Sequence, residues 1–187
     1  MNRPIDIKRE NDKIIFAPLE GTANDIVFWR NNDTQDAHWP APKSGGNPLV
    51  PYKVPPCTDR RQPPTSDGYP LVLSDSEPEK LQYICQIEGH ESETGEITIY
   101  PAPEIDDADL PAGTVNVPYE AELAAMDGKP PYTWSVIDGN LPSGLTLSGN
   151  KIGGTPKSAD TFTFTLQVAD ALGTFVTADK SISISAQ

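Results

Sequence analysis

Six residues hold all of the chain's imidazole, thiol and thioether groups: His38, His90, Cys57, Cys85, Met1 and Met126. Such scarcity narrows the chemistry available. No serine sits in a nucleophile-elbow context, and neither histidine has a triad partner recognisable from its surroundings in sequence. Taken singly, a histidine or cysteine reads as a structural core residue. Their order is more informative: His38 follows IVFWRNNDTQDAH, while Cys85 and His90 share the stretch YICQIEGHESETGEITIY. Cys57 and Cys85 could also form a disulfide, as two cysteines in a small exported β-domain commonly do. That bridge would close a loop of about 28 residues and add ~3–4 kcal/mol. The run Glu88, Glu91, Glu93, Glu96 around His90 reads as a solvated turn or as a patch that steers a basic partner.

These side chains must be positioned by strands. Proline makes up 20 of 187 residues, which works against long helices, and no stretch sustains apolar residues at helical spacing. Period-two alternation recurs instead, predicting strands over Ile5 to Lys8, Lys13 to Ala17, Asp25 to Arg30, Tyr69 to Ser74, Leu81 to Glu88 and Glu96 to Tyr100. In the third of these, Ile26 and Phe28 would face one side and Val27 and Trp29 the other, with both faces covered. Trp39 to Pro64, crowded with proline, glycine and polar residues, reads as a long loop. Pro101 to Gly113 combines proline and acidic residues without periodicity and reads as a stiff linker. Beyond it Phe162, Phe164, Leu166 and Val168 alternate with Thr161, Thr163, Thr165 and Gln167, and Ile182 and Ile184 repeat the pattern. One apolar and one hydroxyl-rich face is the mark of an antiparallel sandwich strand. The expected fold class is all-β with two β-sandwiches: residues 1–103, a linker at 104–110, and residues 111–187.

Charge sets further bounds. Fourteen basic against 27 acidic side chains, a net charge of −13, argue against nucleic acid, whose phosphates need clustered Lys and Arg, and against docking on an anionic membrane. No apolar run reaches the roughly eighteen residues that would predict a transmembrane helix. The opening MNRPIDIKRENDK has no apolar core of a secretory signal, so either the chain stays inside the cell or a leader has been removed.

The first half resembles the cupredoxin family, small Greek-key β-sandwiches holding a type 1 copper. The resemblance runs from about Ile5 to Tyr100. It is carried by Ile26 to Asp33, similar to the family's V-x-F/W-x-N-x-D strand before a histidine, by Cys85-x4-His90, and by the closing Gly95 and strand Glu96 to Ile99. It implies copper as cofactor, with His38, Cys85 and His90 as ligands, because copper cycling between two oxidation states wants a thiolate and two imidazoles in a near-trigonal set. The family's axial methionine falls four or five residues after the second histidine. Here those positions are Thr94 and Gly95, so the axial place is vacant or taken by a carbonyl, Thr94 or the Glu93 carboxylate. A hard carboxylate would favour Cu(II) and could admit zinc.

The second half, from about Leu110 to Ile184, resembles the putative-Ig repeat of bacterial surface and secreted proteins. The motifs are PPYTWSV (Pro130 to Val136), LPSGLTLSG (Leu141 to Gly149), IGGTP (Ile152 to Pro156) and TFTFTLQVADALG (Thr161 to Gly173). Trp134 would fill the space between sheets. Pro142-Ser143-Gly144 would turn the chain, and Gly153-Gly154-Thr155-Pro156 would form a tight turn with no room for a side chain. The resemblance implies a spacer or adhesion module. Asp127 and Asp170 read as turn acids, or as calcium ligands.

Two functions emerge as expectations. One is a non-enzymatic copper-binding protein serving electron transfer or copper handling, with an Ig-like spacer. The other is a non-catalytic surface or adhesion protein whose cupredoxin-like domain has lost its metal. Both resemblances imply a periplasmic, cell-surface or secreted location. The redox partner or surface ligand is not readable from these residues.

Overall fold

The alternation of apolar and polar residues determines which side chains enter the core. In β1 (Asn2–Glu10) Ile5 and Ile7 point inward, and in β2 (Lys13–Phe16) Ile14 and Phe16 do the same. Asn11, at φ 49°, makes the turn between them, a conformation asparagine tolerates better than most residues. The computed structural model describes residues 1–11, 13–38, 40–42, 65, 68–71, 78–85 and 94–187. All regular structure among them is strand, and the chain divides into two compact units, Met1–Pro101 and Ala102–Gln187.

The first unit continues with β3 (Leu19–Thr22), β4 (Ile26–Asn31), β5 (Pro40–Pro42), β6 (Tyr69–Pro70), β7 (Glu79–Cys85) and β8 (Gly95–Tyr100). They form two four-stranded sheets, ordered β2-β1-β4-β6 and β3-β8-β7-β5. The β1–β4 and β3–β8 pairs are parallel, so the chain must cross between sheets rather than meander through one. Ile5, Ile7, Ile14, Phe16, Val27, Trp29, Leu71, Tyr83, Cys85, Ile97 and Ile99 form the core. Burying a large apolar side chain stabilises by about 1.5–3 kcal/mol. Trp29 stands edge-on to Phe16 and Tyr83, at ring-centroid separations of 5.7 and 5.0 Å.

Two strands escape the alternation reading. Strand β3 is only four residues long, contains a glycine, and exists because β8 pairs with it in parallel. Strand β5 lies in the segment expected as loop and pairs with β7, Pro40 opposite Cys85. Residues 43–64 of that expected loop lie outside the described residues, and Thr65 just beyond them bridges to Arg30 of β4. In β4 the two faces are unequal. Val27, Trp29 and Asn31 are buried, whereas Ile26, Phe28 and Arg30 are half-buried.

The second unit contains β9 (Glu104–Ile105), β10 (Gly113–Thr114), β11 (Tyr119–Glu122), β12 (Ala125–Met126), β13 (Thr133–Gly139), β14 (Leu145–Ser148), β15 (Lys151–Gly154), β16 (Asp160–Ala169) and β17 (Phe175–Ser185). Its sheets are β10-β17-β16-β13 and β11-β15-β14, with β9 and β12 as a separate pair. The expected inward face of β16 is observed: Phe164, Leu166 and Val168 are buried and Phe162 packs beside them, with Ile182 and Ile184 from β17. Trp134 packs against this core while remaining half-buried.

Residues 104–110 do not act as a linker. Ile105 is part of the second core, Leu110 packs against it, and the Lys180 Nζ donates to the Asp106 and Ala108 carbonyls. Period-two patterning could not reveal this, because β9 has only two residues. The expected turn at Gly153-Gly154 is also different. Both glycines belong to β15, which pairs with β11 on one side and β14 on the other.

Candidate functional site

The segment after β4 folds around its own polar side chains. Asn31, fully buried at the end of β4, accepts the Asp33 N–H at its Oδ1 (2.9 Å), and its Nδ2 donates to the Asp36 carbonyl (2.9 Å). Asp33, also buried, accepts the Gln35 N–H at Oδ1 (2.9 Å). Its Oδ2 accepts from Arg9 Nε at 3.2 Å and pairs with Arg9 Nη2 at 3.1 Å. The Arg9 guanidinium also pairs with Asp36. This nest of short-range bonds satisfies polar groups that burial would otherwise penalise.

His38 emerges from that turn with its side chain wholly buried. Its Nε2 lies 2.8 Å from Asp33 Oδ2, and its Nδ1 lies 3.7 Å from the Cys85 Sγ. The meeting of His38 and Cys85 is a product of sheet pairing. Strand β5 begins two residues after His38, and its Pro40 is the register partner of Cys85. Burial pushes the Asp33 carboxyl upward, but the Gln35 N–H, His38 and Arg9 outweigh it, so its pKa is held below the ordinary carboxylate value. The carboxylate form is acceptor-only, so the hydrogen of the Nε2–Oδ2 contact belongs to His38.

Copper or another soft cation can be tested against this geometry. With metal–nitrogen and metal–sulfur bonds of about 2.05 and 2.3 Å, a 3.7 Å separation corresponds to an angle of about 115° at a shared ion. That lies between tetrahedral and trigonal. The two side chains fit. Of the other expected ligands, His90 and Glu93 lie outside the described residues, as does Cys57 of the disulfide alternative. Thr94 is exposed just before β8 and adjoins Gly95, the register partner of Tyr83. Gly95 itself sits where a Cβ would come 2.5 Å from Phe16 Cβ, so close packing explains that glycine. Among the described residues no group of three or more His, Cys, Asp or Glu side chains is arranged to hold a metal ion. Of the acidic run, Glu96 pairs with Lys80 at 2.8 Å, and Glu88, Glu91 and Glu93 lie outside the described residues.

The sequence reading missed the roles of Asp33 and Arg9. Asn31, Asp33, Asp36 and His38 are crowded within eight positions, which is the available signal, but Arg9 arrives from β1 and has none.

In the second unit, Asp170 is a loop organiser. Its Oδ1 accepts the Leu172 and Thr174 N–H groups, both at 2.9 Å, and its Oδ2 accepts the Lys129 N–H at 3.1 Å. A carboxylate so committed to backbone donors is poorly placed to ligate calcium. Asp127 takes a positive φ of 58°, and its carbonyl accepts the Tyr132 hydroxyl. A groove of about 570 Å³ in this unit is lined by Asp107, Asp109, Asp138 and Asp179 with Lys180.

Comparison with known proteins defines the class. Residues 102–186, under half of the chain, match the family model described as Putative Ig domain, which lies within the second unit. An I-band fragment of titin superposes with a TM-score of 0.52 at 11% identity, covering 94% of this chain and 64% of that one, a likeness of fold. A putative alpha-galactosidase from Bacteroides fragilis is 27% identical, covering 45% of this chain and 18% of that one, with a TM-score of 0.40. An endo-fucoidan hydrolase of glycoside hydrolase family 107 is 18% identical over 98% of this chain and 29% of that one, with a TM-score of 0.41. The chain thus spans less than two thirds of each of these proteins. No curated protein matches it. The chain is an all-β protein with an Ig-like second unit, and the comparisons lend no support to the cupredoxin resemblance of the first. Among the described residues no helix is long and apolar enough to cross a membrane.

Proposed function

We propose that this chain is a non-catalytic, surface-associated or secreted protein whose Ig-like unit serves as a spacer or adhesive module. The observation that carries this reading is the family match across residues 102–186. Two features of that unit agree with it: its inward residues are used for packing, and Asp170 is used by the loop backbone. Surface display or export places the chain in the periplasm, at the cell surface or in the medium. Fractionation of the producing cells tests this. Recovery with surface, osmotic-shock or medium fractions is expected, and recovery only with cytoplasmic markers would overturn it.

A second reading, copper binding by the first unit, is favoured by one specific observation, the 3.7 Å separation of His38 Nδ1 and Cys85 Sγ. His38 and Cys85 would hold the ion, with His90 as third ligand and Glu93 or Thr94 as axial candidates. Bound copper supplies one-electron exchange with a redox partner, and the buried pair would hold the ligands still between oxidation states. Purified protein given one equivalent of Cu(II) should develop intense visible absorption that is lost in Cys85→Ser. A colourless protein without stoichiometric copper would sink this reading, leaving the surface role intact.

A further inference from the structure

We infer that Asp33 is a positioning residue that holds His38 as its Nε2–H tautomer, so that the Nδ1 lone pair is presented to the Cys85 sulfur. Three observations on different elements carry this. Asp33 Oδ2 lies 2.8 Å from His38 Nε2 with both groups almost entirely buried, so water does not compete for the contact. The Gln35 N–H and the Arg9 guanidinium, the latter delivered from β1, occupy the same carboxylate as donors and hold it as an acceptor. Asn31 closes the turn from inside the core and sets where Asp33 stands.

The two nitrogens of a neutral imidazole are not equivalent, and the partner of one decides the state of the other. With Nε2 committed to the carboxylate, Nδ1 is the nitrogen available to accept from the Cys85 thiol or to bind a soft cation together with its thiolate. A carboxylate behind a histidine acts in this way in metal sites generally, and its removal typically weakens metal affinity 10–100-fold. In that last respect the inference rests on the copper reading. The tautomer itself does not, because it is a property of the metal-free protein.

Asp33→Asn probes it with little change of shape. In an Arg9→Met background, which removes the other donor facing Oδ2, the asparagine carbonyl can keep the Gln35 N–H, which turns its NH₂ toward His38 Nε2 and makes that nitrogen an acceptor. Long-range ¹H–¹⁵N correlation of the imidazole in the metal-free full-length protein, recorded at about pH 8, above the unperturbed histidine value of about 6.5, reads the protonation of each nitrogen directly. Wild type should give a protonated Nε2 and a bare Nδ1, and a protonated Nδ1 would overturn the inference without any variant being needed. In the Arg9→Met background Asp33→Asn should shift the tautomer ratio toward Nδ1–H by tenfold or more, and an unchanged ratio in the folded variant would equally overturn it. Cu(II) titration of both proteins separates the two ideas. Weaker binding by 10–100-fold in the variant supports both. No binding by wild type defeats the copper reading and leaves the tautomer result to stand.

Discussion

Asp6 and Arg30 are register partners across the parallel β1–β4 pair, and their side chains meet as a fork. Arg30 Nε and Nη2 donate to the two Asp6 oxygens at 2.6 and 2.9 Å, and Asn32 Nδ2 adds a third bond at 2.7 Å. The Arg30 hydrogen bonds hold the Asp6 carboxyl below its ordinary range against the opposing effect of burial. Asp33 is lowered too, its donors exceeding the cost of burial. Both groups therefore have lower pKa values folded than unfolded, where aspartate titrates at about 3.9. Their stabilisation is present above that value and is lost as pH falls below it through the folded-state values, because the unfolded chain binds more protons there. The urea midpoint should accordingly fall between pH 6 and pH 3, and Asp6→Asn should flatten part of that fall. A midpoint that is level across this interval would contradict the assignment.

At the scale of elements, turns and short strands decide what alternation cannot. Gly144 sits at φ +93°, and a Cβ there would come 2.1 Å from the Thr155 carbonyl oxygen. The same approach lets Thr155 N–H donate to the Gly144 carbonyl at 3.1 Å, and Leu145 N–H donates to Pro142, closing the turn into β14. Gly144→Ala combines an unfavourable backbone region with a collision against main chain, so a loss of about 2–4 kcal/mol is expected. Denaturant unfolding should show it as a lower midpoint with an unchanged slope. The LPSG motif made this turn legible. The two-residue β9 and the three-residue β5 were not legible, because segments so short carry no periodicity and form only where a neighbouring strand offers its edge. Strand β5 matters most, since its pairing with β7 draws the residue after the His38 turn alongside Cys85.

At the scale of the whole molecule, the all-β class and the inward faces of β16 and β17 follow from proline content and period-two alternation. The Ig-like character of the second unit was legible in the same way, because its motifs are local: turn residues at set offsets and one long alternating strand. The chain's acidity, −13 overall, argues against nucleic acid as a partner without pointing to any other. Rarity of histidine and cysteine singled out His38 and Cys85. Only the tertiary structure decided that these two meet, that Asp33 stands behind the imidazole and that Arg9 stands behind Asp33. His38 and Cys85 are 47 positions apart, and Arg9 and Asp33 are 24. Contacts of that span depend on which strands pair, in which register and in which direction, whereas side-chain alternation specifies only which face of each strand turns inward.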